Sequence, residues 1–424
     1  MNHDTRRTGS PQTMTVHVET RQTVARRTWR RVAGGTALLG GALLLSSCSR
    51  NSPQDTWKPK GDSARKIDNL QRPVFLVAGI VGVIVFLVVG YAVTKFRDKG
   101  QPIPKQSHGK PALEIVLTII PFVILATIGA FTARTIVQIA DTKGCEMTVN
   151  VTGQQWWWEY AYPATAENQK YGITKPIVTS GELVIPAGTC VLLRETSRDV
   201  IHSFWIPALN GKKDAVPGRV HENKLEADAP GYFAGQCTEF CGLSHANMRQ
   251  WAIALNEEDF ATWVQNQQRV ATVYAETDDS PEALGYRAFR QNCSRCHQVN
   301  GMQNADGTPT IAAPENNIVA GSVPNLTHLM TRSRFAGETF PLLNKTCTER
   351  LTKAASEQLG AVYLEGVTSD CLNRTQLEAW LRNAPGEKPM YVKPDAKGLL
   401  RGMPNLGLSE KQIDSIVTYL QTLK

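Results

Sequence analysis

Two apolar stretches set the strongest constraint on this chain. Val74 to Val93 runs without a charged residue, and Leu113 to Ile136 is a second stretch, with Glu114 at its start, Pro121 inside and Arg134 near its end. A helix needs about 20 apolar residues to cross the hydrocarbon core of a bilayer. Inside that core every backbone polar group must be satisfied within the segment. Both stretches are therefore expected to span as helices, with the hairpin covering 73–139. The loop between them carries Lys95, Arg97, Lys99, Lys105 and Lys110 against Asp98, which assigns it to the cytoplasmic side. Both ends of the hairpin then face outward, and everything after about Ile139 is extracytoplasmic.

A shorter apolar run comes first. Residues 1–25 are polar and aperiodic and are expected to be disordered. Arg26, Arg27, Arg30 and Arg31 precede Val32 to Leu45, a run too short to span. A basic region, a short apolar core and small residues before the break describe a secretory leader over 1–47. Leu45-Ser46-Ser47-Cys48 resembles a bacterial lipoprotein cleavage box, which would make Cys48 the lipidated start of an outer segment, 48–72. A plain leader with an incidental cysteine is the alternative. The net charge of +8 belongs mostly to this leader, whose arginines leave +3 for the rest. No basic, aromatic-interleaved patch speaks for nucleic acid.

The densest chemistry lies at Gly235 to Met248. Cys237, Cys241, His245 and Met248 are spaced Cys-x3-Cys-x3-His-x2-Met, and His202 is available upstream. Thiolate and thioether sulfur are soft ligands, and imidazole also suits copper. Two thiolates are one more than a mononuclear blue-copper site uses, which suggests two metal ions sharing both sulfurs. Structural zinc or a disulfide is the alternative, but zinc has no use for the methionine.

This loop resembles the copper A loop of subunit II of haem–copper cytochrome c oxidases. The resemblance runs from the apolar pair to about Ala261 and includes Gln155 to Trp158, Asp199 to Pro207 and Lys213 to Arg219. It implies that Cys237 and Cys241 bridge two coppers. His202 and Met248 would complete one copper, and His245 with the backbone carbonyl of Glu239 the other. The Glu239 carboxylate would also reach a magnesium ion shared with subunit I. Trp156 would be the point where electrons come in, although Gln154 and Trp157 stand where the family usually has His and Tyr. Glu114 would sit at the mouth of a proton-uptake path; the alternative is an acid favoured by a helix N-terminus.

From Glu146 the pattern turns to short β segments at Met147 to Val151, Leu183 to Ile185, Val191 to Leu193, His202 to Ile206, Val220 to Leu225 and Trp251 to Leu255. These predict a β-sandwich or barrel over 140–268, and the resemblance implies a cupredoxin-like Greek key. Alternation is expected to bury some of Trp156, Trp157 and Trp158 and to expose others. A helix is expected from Asn256 through Trp263. Residues 269–279 are polar and acidic and are expected to be a linker, after which Ser280-Pro281 starts a new domain, 280–424.

In that domain Cys293-Ser294-Arg295-Cys296-His297 fits the Cys-x-x-Cys-His motif of c-type haem attachment. The thiols would bond the vinyl groups, and His297 would ligate the iron. A redox dithiol would not need the histidine, and no second cysteine pair at zinc spacing is present within 280–424. Met403-Pro404 precedes a capped helix with an apolar stripe at Ile413, Ile416, Val417 and Leu420. This resembles the end of all-α class I cytochromes c and points to Met403 as the sixth ligand, with Met390 the runner-up; Met302, Met330 and His328 are also in the region. Gly285 and Phe289 fit a contact between the first and last helices. Cys145, Cys190, Cys347 and Cys371 suggest disulfides 145–190 and 347–371, with four buried free thiols as the alternative. Phe340 to Asn373 reads as a disulfide-closed insertion with no function assigned.

Together these readings predict a multidomain membrane protein: a two-helix hairpin, a cupredoxin-like β domain and a cytochrome c domain, the last two periplasmic, in a bacterial inner membrane. The resemblance implies the electron-input subunit of a terminal oxidase. Electrons would come from quinol–cytochrome c reductase or a soluble cytochrome c and pass from haem c to copper A. From there they would reach haem a of subunit I for oxygen reduction coupled to proton pumping, with subunits I and III as partners. The alternative is the copper A subunit of a nitric oxide or nitrous oxide reductase.

Overall fold

The computed structural model describes residues 53–102, 108–308, 323–393 and 401–424. The leader expected over 1–47 and the lipid site expected at Cys48 lie outside these residues.

Two long helices come first, α1 (Asp62–Lys95) and α2 (Pro111–Ala140), both long and apolar enough to cross a bilayer. Their apolar side chains, such as Phe86 and Leu125, are exposed. Helix α1 begins before the boundary expected at 73. Its first turns bury Ser63, Ala64 and Asp68. Lys60 N–H donates to Ala208 O (2.7 Å), Ala64 N–H donates to Leu209 O (3.2 Å), and Arg65 pairs with Asp228. Much of the expected outer segment 48–72 is thus a helical foot on the β domain. Pro73 removes one helical donor yet does not end the helix, because the apolar run beyond it can satisfy its backbone only as helix.

The β domain contains β1 (Met147–Gln154), β2 (Trp157–Tyr162), β3 (Ile177–Ser180), β4 (Glu182–Pro186), β5 (Val191–Ser197), β6 (His202–Phe204), β7 (Lys213–Ala215), β8 (His221–Leu225), β9 (Gly231–Gln236) and β10 (Arg249–Leu255). A short helix, α3 (Ala166–Gln169), follows β2. One sheet has the order β3-β2-β1-β5-β8, a second β4-β10-β9, and β6 pairs with β7. The β1–β5 and β4–β10 pairs are parallel and the rest antiparallel. Val149, Val151, Trp158, Leu193 and Ile253 from both larger sheets share one buried core. Strands β2, β3, β7 and β9 fall outside the expected segments; in β7 and β9, Lys-Asp-Ala and Gly-Tyr-Phe-Ala-Gly-Gln lack the two-residue apolar alternation. Helix α4 (Glu257–Gln267) runs past the end expected at Trp263 and is capped by Asn256, whose side chain accepts from Asp259 N–H.

The C-terminal half holds α5 (Pro281–Asn292), a small hairpin of β11 (Arg334–Phe335) and β12 (Phe340–Pro341), then α6 (Lys345–Thr352), α7 (Ser356–Leu364), α8 (Arg374–Glu387) and α9 (Glu410–Leu420). Ser280 caps α5, Ser409 and Gln412 form a capping box on α9, and α8 is broken at Asn383. Helices α5 and α9 meet at Gly285, where a Cβ would collide with Ser415 O, and Phe289 packs on Tyr419 with ring centroids 5.3 Å apart. Disulfides join Cys145 to Cys190 and Cys347 to Cys371.

Two further features of this half are the stretch 269–279 and the insertion 340–373. The linker 269–279 is pinned rather than free: Ala271 N–H donates to Asn300 O (2.9 Å), and the Arg287 guanidinium donates to the carbonyls of Ala275, Glu276 and Asp278. Tyr274 also packs against Tyr286 and Tyr419. The insertion 340–373 lies against the β domain. Gly360 of α7 sits on Asp259 of α4, and Tyr363 OH donates to Glu182 Oε2 of β4 (2.8 Å).

Candidate functional site

Strand β6 delivers His202 to the end of the sandwich, and the turn between β9 and β10 delivers the rest. Cys237 Sγ lies 3.9 Å from Cys241 Sγ, 3.9 Å from His202 Nδ1 and 3.3 Å from Glu239 O. Cys241 Sγ lies 3.4 Å from His245 Nδ1 and 3.8 Å from Met248 Sδ. The ligand atoms of His202, Cys237 and Cys241 all fall within 4.8 Å of one another. All six positions singled out in the sequence therefore converge, and Cys237, Cys241, His202 and Met248 are buried. Each cysteine sulfur has the other as neighbour plus two further donors, a set of soft and imidazole ligands suited to copper.

Several neighbours hold these ligands in place. Asp199 Oδ1 lies 2.8 Å from His202 Nε2, and Asp199 Oδ2 accepts from Gln155 N–H at 2.8 Å. Burial pulls the His202 imidazole down, but the Asp199 carboxylate and then Cys237 outweigh it and raise its pKa. A carboxylate behind a ligating imidazole fixes its tautomer and raises its basicity, leaving Nδ1 toward the sulfurs. The Cys237 thiol is held well below its ordinary range, first by the hydrogen bond from Cys241 and then by His202, while Cys241 is pushed up. Gly153 on β1 makes room: a Cβ there would stand 2.7 Å from His202 Cδ2. Sequence reading gave Gly153 and Asp199 no role. The carboxylate three residues before His202 was a usable signal; the glycine left none.

All three tryptophans are buried, so the expected exposure of some does not occur. Trp158 packs in the sandwich against Phe204 (5.4 Å) and His202 (5.9 Å). Trp156 Nε1–H donates to Cys241 O (3.0 Å), and Gln155 Nε2–H to the same oxygen (2.7 Å). The outer side of Trp156 and Trp157 is covered by the C-terminal half, which alternation along β2 could not reveal.

That covering half contains an apolar cavity of about 270 Å³. Cys293, Cys296, His297, Met390 and Met403 line it, together with Gln155, Trp156 and Trp157 of the β domain. Among the sequence candidates, Met302, Met330 and His328 do not line it. His297 Nδ1–H donates to Pro324 O (2.9 Å), and burial lowers the imidazole's pKa. The ring is therefore neutral with Nε2 available as a ligand. Burial pushes the Cys293 thiol up to about 12, so the free thiol is protonated near neutral pH. In the same cavity Arg332 is buried; its Nη1 donates to Ser180 Oγ (2.7 Å) and Nη2 to Asn325 O (2.6 Å), while Nε–H has no partner among the described residues. A buried, unpartnered guanidinium N–H in an apolar cavity fits a group with an anionic edge, as haem has.

Around Trp156 the halves are joined by Lys388. Its buried Nζ donates to Trp156 O (3.0 Å), Asn247 O (3.2 Å) and Ala336 O (2.7 Å). Burial pushes this amine down to about 7, against the pull of Glu338 and Cys241; three carbonyls at Nζ match the three donors of the ammonium. Arg401 Nη1 lies 3.3 Å from Asp199 Oδ2, and Tyr391 packs on Trp156 at 5.0 Å. Glu114, by contrast, stands exposed in the first turn of α2, and the Glu239 side chain is exposed on the metal loop.

Comparison with known proteins bears on this geometry. Residues 147–254 match the family described as "Cytochrome C oxidase subunit II, periplasmic domain", and residues 57–134 match "Cytochrome C oxidase subunit II, transmembrane domain". The cytochrome c oxidase subunit 2 of Alkalihalophilus pseudofirmus is 30% identical over 410 residues, covering 93% of this chain and 98% of that protein. The subunit 2 of Bacillus sp. PS3 is 32% identical, covering 77% of this chain and 79% of that protein. A crystal structure of the periplasmic domain of cytochrome oxidase subunit II from Bradyrhizobium japonicum is 31% identical over 30% of this chain and 97% of that one, with a TM-score of 0.27. The chain is therefore a member of the cytochrome c oxidase subunit II family, a membrane protein with an outer β domain that serves electron input in an oxidoreductase complex.

Proposed function

We propose that this chain takes electrons at a covalent haem c in its C-terminal half and passes them through Trp156 to a dinuclear copper A centre, for delivery to haem a of subunit I. The observation that carries this reading is the position of Trp156. It lines the cavity of Cys293, Cys296 and His297, and its indole donates to the carbonyl of Cys241. When bound, the two groups supply reversible one-electron chemistry.

The residues provide the rest. Cys237, Cys241, His202, Met248, His245 and the Glu239 carbonyl would hold the coppers. Asp199 orients His202, and Gly153 admits its ring. Cys293 and Cys296 would anchor the haem and His297 and Met403 ligate it; a Met/His pair raises the haem potential. The buried, hydrogen-bonded shell means that little moves when the charge changes. The Glu239 carboxylate would share a magnesium ion with subunit I, and Glu114 would open a proton path. Subunits I and III are the partners, quinol–cytochrome c reductase or a soluble cytochrome c the donor, and a bacterial inner membrane the location. The domains would be 140–268 for copper and 280–424 for haem.

Purification of the complex tests this reading. Haem a absorbance with oxygen uptake is expected. Turnover of nitric or nitrous oxide without haem a would replace the oxidase by a reductase.

A further inference from the structure

The contacts between the two outer domains are unlike those of a module held only by a linker. At the tip of the β11–β12 hairpin Ala336, Gly337 and Glu338 all take positive φ (57°, 68° and 64°). For Ala and Glu this conformation is costly and persists only where surroundings hold it. The surroundings are the copper domain: Arg249 N–H donates to Gly337 O (3.1 Å), and Gly337 lies so close to Trp156 O that a Cβ would collide with it. Lys388 ties Trp156, Asn247 of the metal loop and Ala336 of the tip through one nitrogen. On the far side Glu182 of β4, buried, accepts from Ser333 N–H (2.9 Å) and, through its other oxygen, from Tyr363 OH (2.8 Å). Trp156 is only 3% exposed as a result.

We propose that Lys388 and the insertion's Tyr363 lock the haem domain onto the copper domain, sealing Trp156 so that outside donors reach the copper centre only through this chain's own haem. This rests on the haem and copper reading given above. A transient electron-transfer encounter is small and wet. Here Lys388, Glu182 and Tyr363 are buried, and each finds its hydrogen-bond partners across the junction. The step across the junction is a one-electron transfer: the haem iron is oxidised by one electron, the copper pair is reduced by one, and no bond or proton changes hands. An external cytochrome then serves as reductant to the haem domain and not to Trp156. The insertion thereby gains a role as a clamp, and Lys388 is a positioning residue.

The test uses the full chain in its purified complex, with the haem reduced by a photoactivated ruthenium reagent. In the wild type, haem oxidation and copper reduction should share one first-order phase whose rate is unchanged as solvent viscosity rises. Lys388→Met should keep both optical spectra while the phase slows about tenfold, the effect of ~1.4 kcal/mol lost from the docked state, and becomes viscosity-dependent. Tyr363→Phe, which removes one hydroxyl that neither lines the haem cavity nor belongs to the metal-ligand cluster, should shift in the same direction by less. A wild-type rate that falls with viscosity, or variants that both keep a viscosity-independent rate, would overturn the lock. Nitroxide amino acids in place of the exposed Glu222 and Lys411 decide the matter even if a centre is absent. One narrow interspin distance supports docking and a broad distribution overturns it, whereas a missing haem or copper spectrum removes only the functional reading.

Discussion

Replacement of Gly153 by alanine tests the placement of His202 directly. The new Cβ would stand 2.7 Å from His202 Cδ2, 3.0 Å from Cγ and 3.1 Å from Cβ. Ordinary contact begins at 3.4 Å, so the ring must retreat by at least 0.7 Å, the difference between the two distances. Retreat is opposed on every side, because His202 is fully buried, its Nε2 is 2.8 Å from Asp199 Oδ1, and Trp158 lies edge-on at 5.9 Å. Overpacking of this kind costs about 1–3 kcal/mol, offset by about 0.4–1 kcal/mol from the stiffer unfolded chain. The net loss of domain stability should be about 1–2 kcal/mol. The larger effect falls on the metal, since displacing a group that orients a ligand lowers affinity by roughly 10–100-fold. Urea unfolding of the metal-free domain measures the first quantity, and competition with a copper chelator, with electron paramagnetic resonance of the bound copper, measures the second. A variant with wild-type copper affinity and an unchanged spectrum would refute the role of His202 and the fit of its ring over Gly153.

Three further outcomes follow from named contacts. Gly285→Ala should destabilise the C-terminal domain by about 1–3 kcal/mol, although alanine is the better helix former by about 1 kcal/mol, because the added methyl meets Ser415 O of α9; unchanged thermal melting would contradict this. Met403→Ala should abolish the sulfur-to-iron charge-transfer band and lower the haem potential, whereas Met390→Ala should keep the band; the reverse result would exchange the two. Glu195, buried in the sandwich with one bond from Asn223, has its pKa raised well above the usual range, chiefly by desolvation. Its contribution to stability is full below the unfolded carboxyl pKa and is lost as pH rises toward the folded value, at up to about 1.4 kcal/mol per pH unit. Glu195→Gln should therefore gain on the wild type as pH rises from 5 to 8 in ~1-unit steps, and parallel melting curves would refute the buried acid.

The parts legible in the sequence were those whose chemistry is local. The loop places Cys237, Cys241, His245 and Met248 within one turn, the Cys-x-x-Cys-His motif is five consecutive residues, and the long apolar helices announce themselves by length. The caps at Ser280 and Ser409 are likewise written within four residues. The parts that escaped depend on what lies across a boundary. Period-two alternation assigns Trp157 to one face of β2 but is silent on whether another domain covers that face. Nothing local marks Lys388, whose place shows only in the three carbonyls from three segments that surround it. Residues 269–279 have a linker's composition, yet their order comes from Arg287 and Asn300 outside the stretch. Helix α1 starts early because its polar first turns rest on the β domain, a contact that no hydropathy window reports.

On the reading proposed above, Cys237 and Cys241 hold two metals in a stiff β scaffold beside a haem-bearing domain. Electron paramagnetic resonance of the mildly oxidised chain, with metal analysis of the same sample, tests it most directly. One unpaired electron shared equally by two coppers is expected. A spectrum from a single isolated copper, or a sample holding one zinc, would contradict it.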